Sequence, residues 1–138
     1  MDWKECVITK IVKKKSVDKE LISSILKMRK WKLKAYHKLS EENDLISIQF
    51  TVAYDYLRET IEALALSKGF KIGNHECYTA FLKEVCKLQT EAAIFDRAKF
   101  IRNGIQYCSK DMPLEEGKKL IPQLFSLVKF LEKQINEK

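Results

Sequence analysis

Apolar residues return every three to four positions along most of this 138-residue chain, the period of a helix with one buried face. The densest run covers residues 45–68, where Ile46, Phe50, Ala53, Tyr54, Leu57, Ile61, Leu64 and Ala65 predict a central, well-buried helix. Gly69 follows it, a good residue to end a helix. Upstream, residues 16–39 predict one long helix with Ser16 as N-cap and Asp18 and Glu20 in the first turn, where acids suit the helix dipole. Leu21, Ile25, Met28, Tyr36 and Leu39 line one face, with Ile22 and Leu33 beside them. Lys27, Lys30, Lys34 and Lys38 share the opposite face, bordered by Trp31. Arg29 and Lys32 fall on the apolar side, where their stems can pack and their charges reach water, or meet a partner chain.

The remaining pattern is punctuated by polar breaks. Residues 1–15 predict a short helix or an extended arm, the second part of it basic. Residues 41–44 are a polar break and residues 70–73 a connector. Asn74 can cap a helix over about 76–89, and another follows over about 93–107. Asp111-Met112-Pro113 opens the last helix, with Glu115 and Glu116 in its first turn. Pro122 falls inside that helix and is expected to kink it about one turn upstream, because proline removes a hydrogen bond. Residues 136–138 are expected to fray. With only four glycines and two prolines, these elements predict an all-α single domain over residues 1–138, an antiparallel four- to five-helix bundle.

Composition narrows the setting. Hydrophobic residues make up 46%, enough for a real core, yet no apolar run approaches the roughly 18 residues that span a bilayer. The acidic start, Met1-Asp2-Trp3-Lys4-Glu5, does not read as a signal peptide, so a cytoplasmic protein without a membrane association is expected. Cys6, Cys77, Cys86 and Cys108 form no C-x-x-C pair, and His37 and His75 lie far apart. That spacing predicts reduced thiols and neither a metal nor another cofactor; a helix-to-helix disulfide cannot be read from it. Asp55, Glu59 and Glu62 read as exposed acids and ion-pair partners, not as a metal site.

Charge changes the picture more. The net charge is +7, and residues 1–40 hold 12 Lys/Arg against 4 Asp/Glu, so the whole positive excess lies there. Such asymmetry points to an anionic partner, RNA or a nucleotide, with Lys27, Lys30, Lys34 and Lys38 tracking phosphates and Trp31 offering a stacking plane. The competing reading is a solvated lysine-rich surface.

Two segments carry a more specific signal. One is Tyr54-Asp55-Tyr56-Leu57-Arg58-Glu59-Thr60-Ile61-Glu62-Ala63-Leu64, followed by Gly69-Phe70-Lys71 and His75. The other is Phe95-Asp96-Arg97-Ala98-Lys99-Phe100-Ile101-Arg102-Asn103-Gly104-Ile105-Gln106-Tyr107. With the Met1-Asp2-Trp3 start, they resemble the HEPN family of small helical bundles, and the resemblance covers most of the chain. It implies a homodimer that binds RNA or a nucleotide, of toxin–antitoxin or defence type. In that family's nucleases an arginine with a polar neighbour, and a histidine four to six residues on, face each other across the dimer. Arg102 matches the arginine and Asn103 its neighbour, whereas Tyr107 stands where the histidine is expected and no histidine follows Arg102.

A metal-independent cut needs a base near neutral pKa, and tyrosine, at about 10, is a poor substitute for histidine. The resemblance therefore implies a degenerate ribonuclease motif of Arg102, Asn103 and Tyr107, with Arg97 and Lys99 as further nucleic-acid contacts. Two alternatives stay open. One is a non-catalytic interaction module partnering a minimal nucleotidyltransferase, and the other is an active ribonuclease with a rearranged base. His75 reads as a structural residue behind a helix cap, able to serve as that base only if the fold brings it near Arg102.

Overall fold

The computed structural model describes residues 1–136. It is mostly helical with one small antiparallel two-stranded sheet. The elements are α1 (Trp3–Ile8), β1 (Val12–Lys14), α2 (Lys19–Met28), α3 (Lys30–Leu39), α4 (Ile46–Ser67), β2 (Phe70–Ile72), α5 (His75–Ala80), α6 (Gln89–Tyr107) and α7 (Leu114–Asn136). A 3₁₀ turn at Asn43–Leu45 leads into α4, and a π turn at Phe81–Val85 extends α5.

As its apolar density predicts, α4 is the centre. It packs most extensively against α7 and also against α2, α3, α6 and β2. Phe50, Tyr54, Leu57, Ile61 and Leu64 of α4 meet Phe81, Phe95, Leu124 and Leu131 in a fully buried core. Burying such side chains stabilises the fold by roughly 1.5–3 kcal/mol each. Tyr54 stacks on Phe95 of α6, ring centroids 5.5 Å apart, which fixes α6 against α4.

The long helix expected over 16–39 is broken. Asp18, not Ser16, caps α2 by accepting from the Leu21 amide at 3.0 Å, and a turn at Arg29 separates α2 from α3. The reason lies in Arg29 itself, which is only 3% exposed. Its Nε donates to the Leu26 carbonyl at 3.2 Å, and its guanidinium donates to Thr60 and, at 2.6 Å, to Glu132. It also lies over the Tyr56 ring, 4.2 Å from the centroid. Lys32 pairs with Glu59. Both cations on the apolar side therefore find partners inside this chain.

Residues 1–15 and 70–73 are joined in a way the hydrophobic pattern does not show. Val12 pairs with Ile72, Lys13 with Lys71 and Lys14 with Phe70. Val12 and Ile72 turn into the core while Lys13, Lys14 and Lys71 stay exposed. Gly69, at φ +86°, lets the chain leave α4 directly into β2. This pairing brings α1 against α5, where Cys6 and Cys77 form a disulfide; the expectation of four reduced thiols is corrected. Trp3 completes the join, edge-on to Phe70 at 5.1 Å, with its backbone amide donating to Glu84 Oε2 at 2.7 Å.

Asn74 caps α5 as expected, accepting from the Cys77 amide at 2.9 Å. The helix expected over 76–89 gives way to the π turn, and α6 begins earlier than expected, at Gln89. α7 continues past Pro122 on both sides and still includes Asn136; the fraying expected for residues 137 and 138 lies outside the described residues.

Candidate nucleic-acid interface

Residues 99, 102, 103, 106 and 107 are spaced by three and four, so α6 carries Lys99, Arg102, Asn103, Gln106 and Tyr107 on one arc. The first turn of α5 stands opposite with Asn74, His75 and Glu76. Between them runs an open groove of about 630 Å³, which Gly73 also lines. Arg102, Asn103 and Tyr107, the residues of the expected motif, thus share one groove with His75, 27 positions upstream of Arg102.

Arg102 is mostly buried, its side chain 20% exposed, and its Nη2 lies 4.0 Å from Asp55 Oδ1 on α4. That is close enough for charge attraction but too long for a hydrogen bond. Its buried Nε has no hydrogen-bond partner among the described residues. A buried donor without a partner costs about 1–3 kcal/mol. Lys99 is held by Asp96 at 3.1 Å and reaches the same groove.

His75 faces both ways. Its Nδ1 lies 2.7 Å from the hydroxyl of Tyr54, a fully buried residue. Burial first, then the cations Arg58, Arg102 and Lys99, hold its pKa below the ordinary histidine value, with Asp55 opposing them. Burial likewise pushes the Tyr54 phenol well above its ordinary value, so it stays protonated. Tyr78, beside His75, is raised to about 12, mainly by burial and then by Glu62.

The other expected contacts divide. Arg97 turns away from the groove and pairs with Glu116 of α7 at 2.9 Å. Lys30, Lys34 and Lys38 remain exposed on α3, with Lys30 Nζ 5.0 Å and Lys34 Nζ 5.8 Å from the centre of the exposed Trp31 ring. Lys27 sits on α2, across the Arg29 turn, and borders a different hollow with Ile22, Leu26 and Ile135. The lysine face and the Arg102 groove belong to different elements. Asp55 and Glu59 are half-buried ion-pair partners, not freely exposed acids. No group of three or more His, Cys, Asp or Glu that could hold a metal occurs among the described residues.

Gln106, Tyr54 and Arg58 enter the site without having been singled out for it. Gln106 could have been found, since it lies one helical turn after Arg102. Tyr54 reads as plain core, and only the fold reveals that its hydroxyl meets a histidine. α6 also shows an exposed apolar stripe beside the groove. Phe100 is 78% exposed and Tyr107 74%, and a Cβ on Gly104, between them in sequence, would meet nothing within 4 Å. Among the described residues, no helix is long and apolar enough to cross a membrane.

No protein-family model matches this chain, and no curated protein is similar enough in sequence to match it.

Proposed function

We propose that this protein is a HEPN-like homodimeric bundle that binds RNA or a nucleotide in the α5–α6 groove, with a ribonuclease motif that has lost its base. One observation carries the reading: Arg102 shares a single open groove with Lys99, the α6 amide side chains of Asn103 and Gln106, and the exposed Tyr107. Cations suit the phosphate, amides the edges of a base, and an aromatic ring its face. Toxin–antitoxin or defence biology and a cytoplasmic setting belong to the same proposal. The homodimer rests on the exposed stripe at Phe100 and Gly104, which a second copy would cover. The same stripe favours a second reading, a non-catalytic module docking onto a nucleotidyltransferase.

The test is anisotropy of a labelled single-stranded RNA and sedimentation velocity on the same preparations. Arg102→Ala should abolish most binding, with the helical spectrum unchanged. Phe100→Glu should yield monomers. A wild-type protein that is monomeric at all concentrations, or equal RNA affinity for Arg102→Ala, would contradict the proposal.

A further inference from the structure

The nearness of a histidine to Arg102 invites the conclusion that it replaces the missing base, and the hydrogen bonding argues otherwise. Tyr54 is fully buried, and His75 Nδ1 is the hydrogen-bond partner of its hydroxyl among the described residues. A phenol has one proton to donate. If Nδ1 carried a proton, it would donate to the Tyr54 oxygen and leave the phenolic proton buried without an acceptor. If Nδ1 is bare, the phenol donates to it and both groups are satisfied. The second arrangement puts the ring proton on Nε2, the nitrogen that Tyr54 does not engage, and His75 is one of the residues lining the groove.

Resting on the reading above, we propose that His75 serves the groove as a fixed hydrogen-bond donor, its Nε2–H offered to a phosphate-ester oxygen while Tyr54 holds Nδ1. Such an imidazole has no lone pair facing the groove, so it cannot take a proton from a ribose hydroxyl. A second proton on the ring would have to go to Nδ1 and break the Tyr54 bond. The charges around it oppose that step too: Arg58 from α4 and Lys99 and Arg102 from α6 outweigh Asp55 of α4, while Glu76 lines the groove beside His75 and Tyr78 of α5 stays neutral. The site is therefore built to hold a phosphate ester, not to cut one. Tyr54 is a positioning residue and His75 a binding residue.

The test is ¹⁵N NMR of the histidine rings in the full chain, with inorganic phosphate and adenosine 5′-monophosphate as probes. In the free protein at pH 7.5, His75 should show the Nε2–H tautomer. Either probe should shift Nε2 saturably, and His75→Ala should weaken adenosine monophosphate binding about tenfold, the loss of one charge-assisted hydrogen bond. Tyr54→Phe should give a mixture of tautomers; the wild-type spectrum decides the matter even if that variant folds poorly. An Nδ1–H tautomer in the free protein overturns the inference. So does a monophosphate that binds, and loses affinity on Arg102→Ala, without moving the His75 signals; that result leaves the nucleotide-binding reading standing. If neither the probes nor RNA bind, both fall.

Discussion

Arg102 and Asp55 stand 4.0 Å apart across the α4–α6 interface, paired in charge but not joined by a hydrogen bond. A bidentate contact would lock the guanidinium, whereas this loose one leaves it free to trade a carboxylate for a phosphate. Asp55→Asn should therefore tighten binding of a phosphate ligand by several-fold while lowering stability, because it leaves the mostly buried Arg102 without its carboxylate. Calorimetric titration with adenosine monophosphate, beside a urea melt, checks both halves. Weaker binding would mean that Asp55 positions Arg102 instead of competing for it.

His75 gives the stability a pH dependence with a definite sign. Its folded pKa lies below the unfolded value of about 6.5, so the unfolded chain binds its proton first as pH falls. Stability is complete above pH 6.5 and is lost as pH falls from there toward the folded value. Urea melts of wild type and His75→Gln between pH 8 and 5 should diverge in that window, with the variant flatter. Parallel curves would remove His75 as the source.

The Cys6–Cys77 disulfide closes a separation of 71 residues. In the chain-entropy account such a loop is worth on the order of 4 kcal/mol. Cys6→Ser, or dithiothreitol, should lower the urea midpoint accordingly. α1 and β1 should lose hydrogen-exchange protection first, since they hold on through β2, α5 and the π turn. An unchanged midpoint would show that those packing contacts suffice.

Much of the architecture is legible in the sequence because it follows from periodicity. α4 is central since its apolar residues surround it, and Gly69 and Asn74 end and begin helices by their local chemistry. What escapes are features decided by partners distant in sequence. Arg29 reads as a snorkelling cation, yet Thr60 and Glu132 draw it inside and the helix breaks there. β1 and β2, three residues each, are too short to show alternation. The site follows the same division. The α6 arc of Lys99, Arg102, Asn103 and Tyr107 is a matter of helical spacing, but His75 and Tyr54 join it only through packing. Arg97, two residues from Lys99, leaves it because Glu116 lies on the other side.

The lysine face separates from the groove in a measurable way. If RNA extends over α3, replacing Lys30, Lys34 and Lys38 should each lessen the slope of log K against log salt by about 0.7. Trp31 fluorescence should be quenched on binding. Lys27→Ala should leave the slope unchanged, because the Arg29 turn sets it on a separate hollow. Equal effects from all four lysines would restore a single continuous face.

The central claim is that phosphate-bearing ligands enter between α5 and α6. The most direct measurement is amide chemical-shift mapping of the ¹⁵N-labelled protein titrated with a short single-stranded RNA. The account predicts saturable shifts concentrated at residues 73–76 and 99–107. Shifts confined to α3, or none at millimolar RNA, would contradict it.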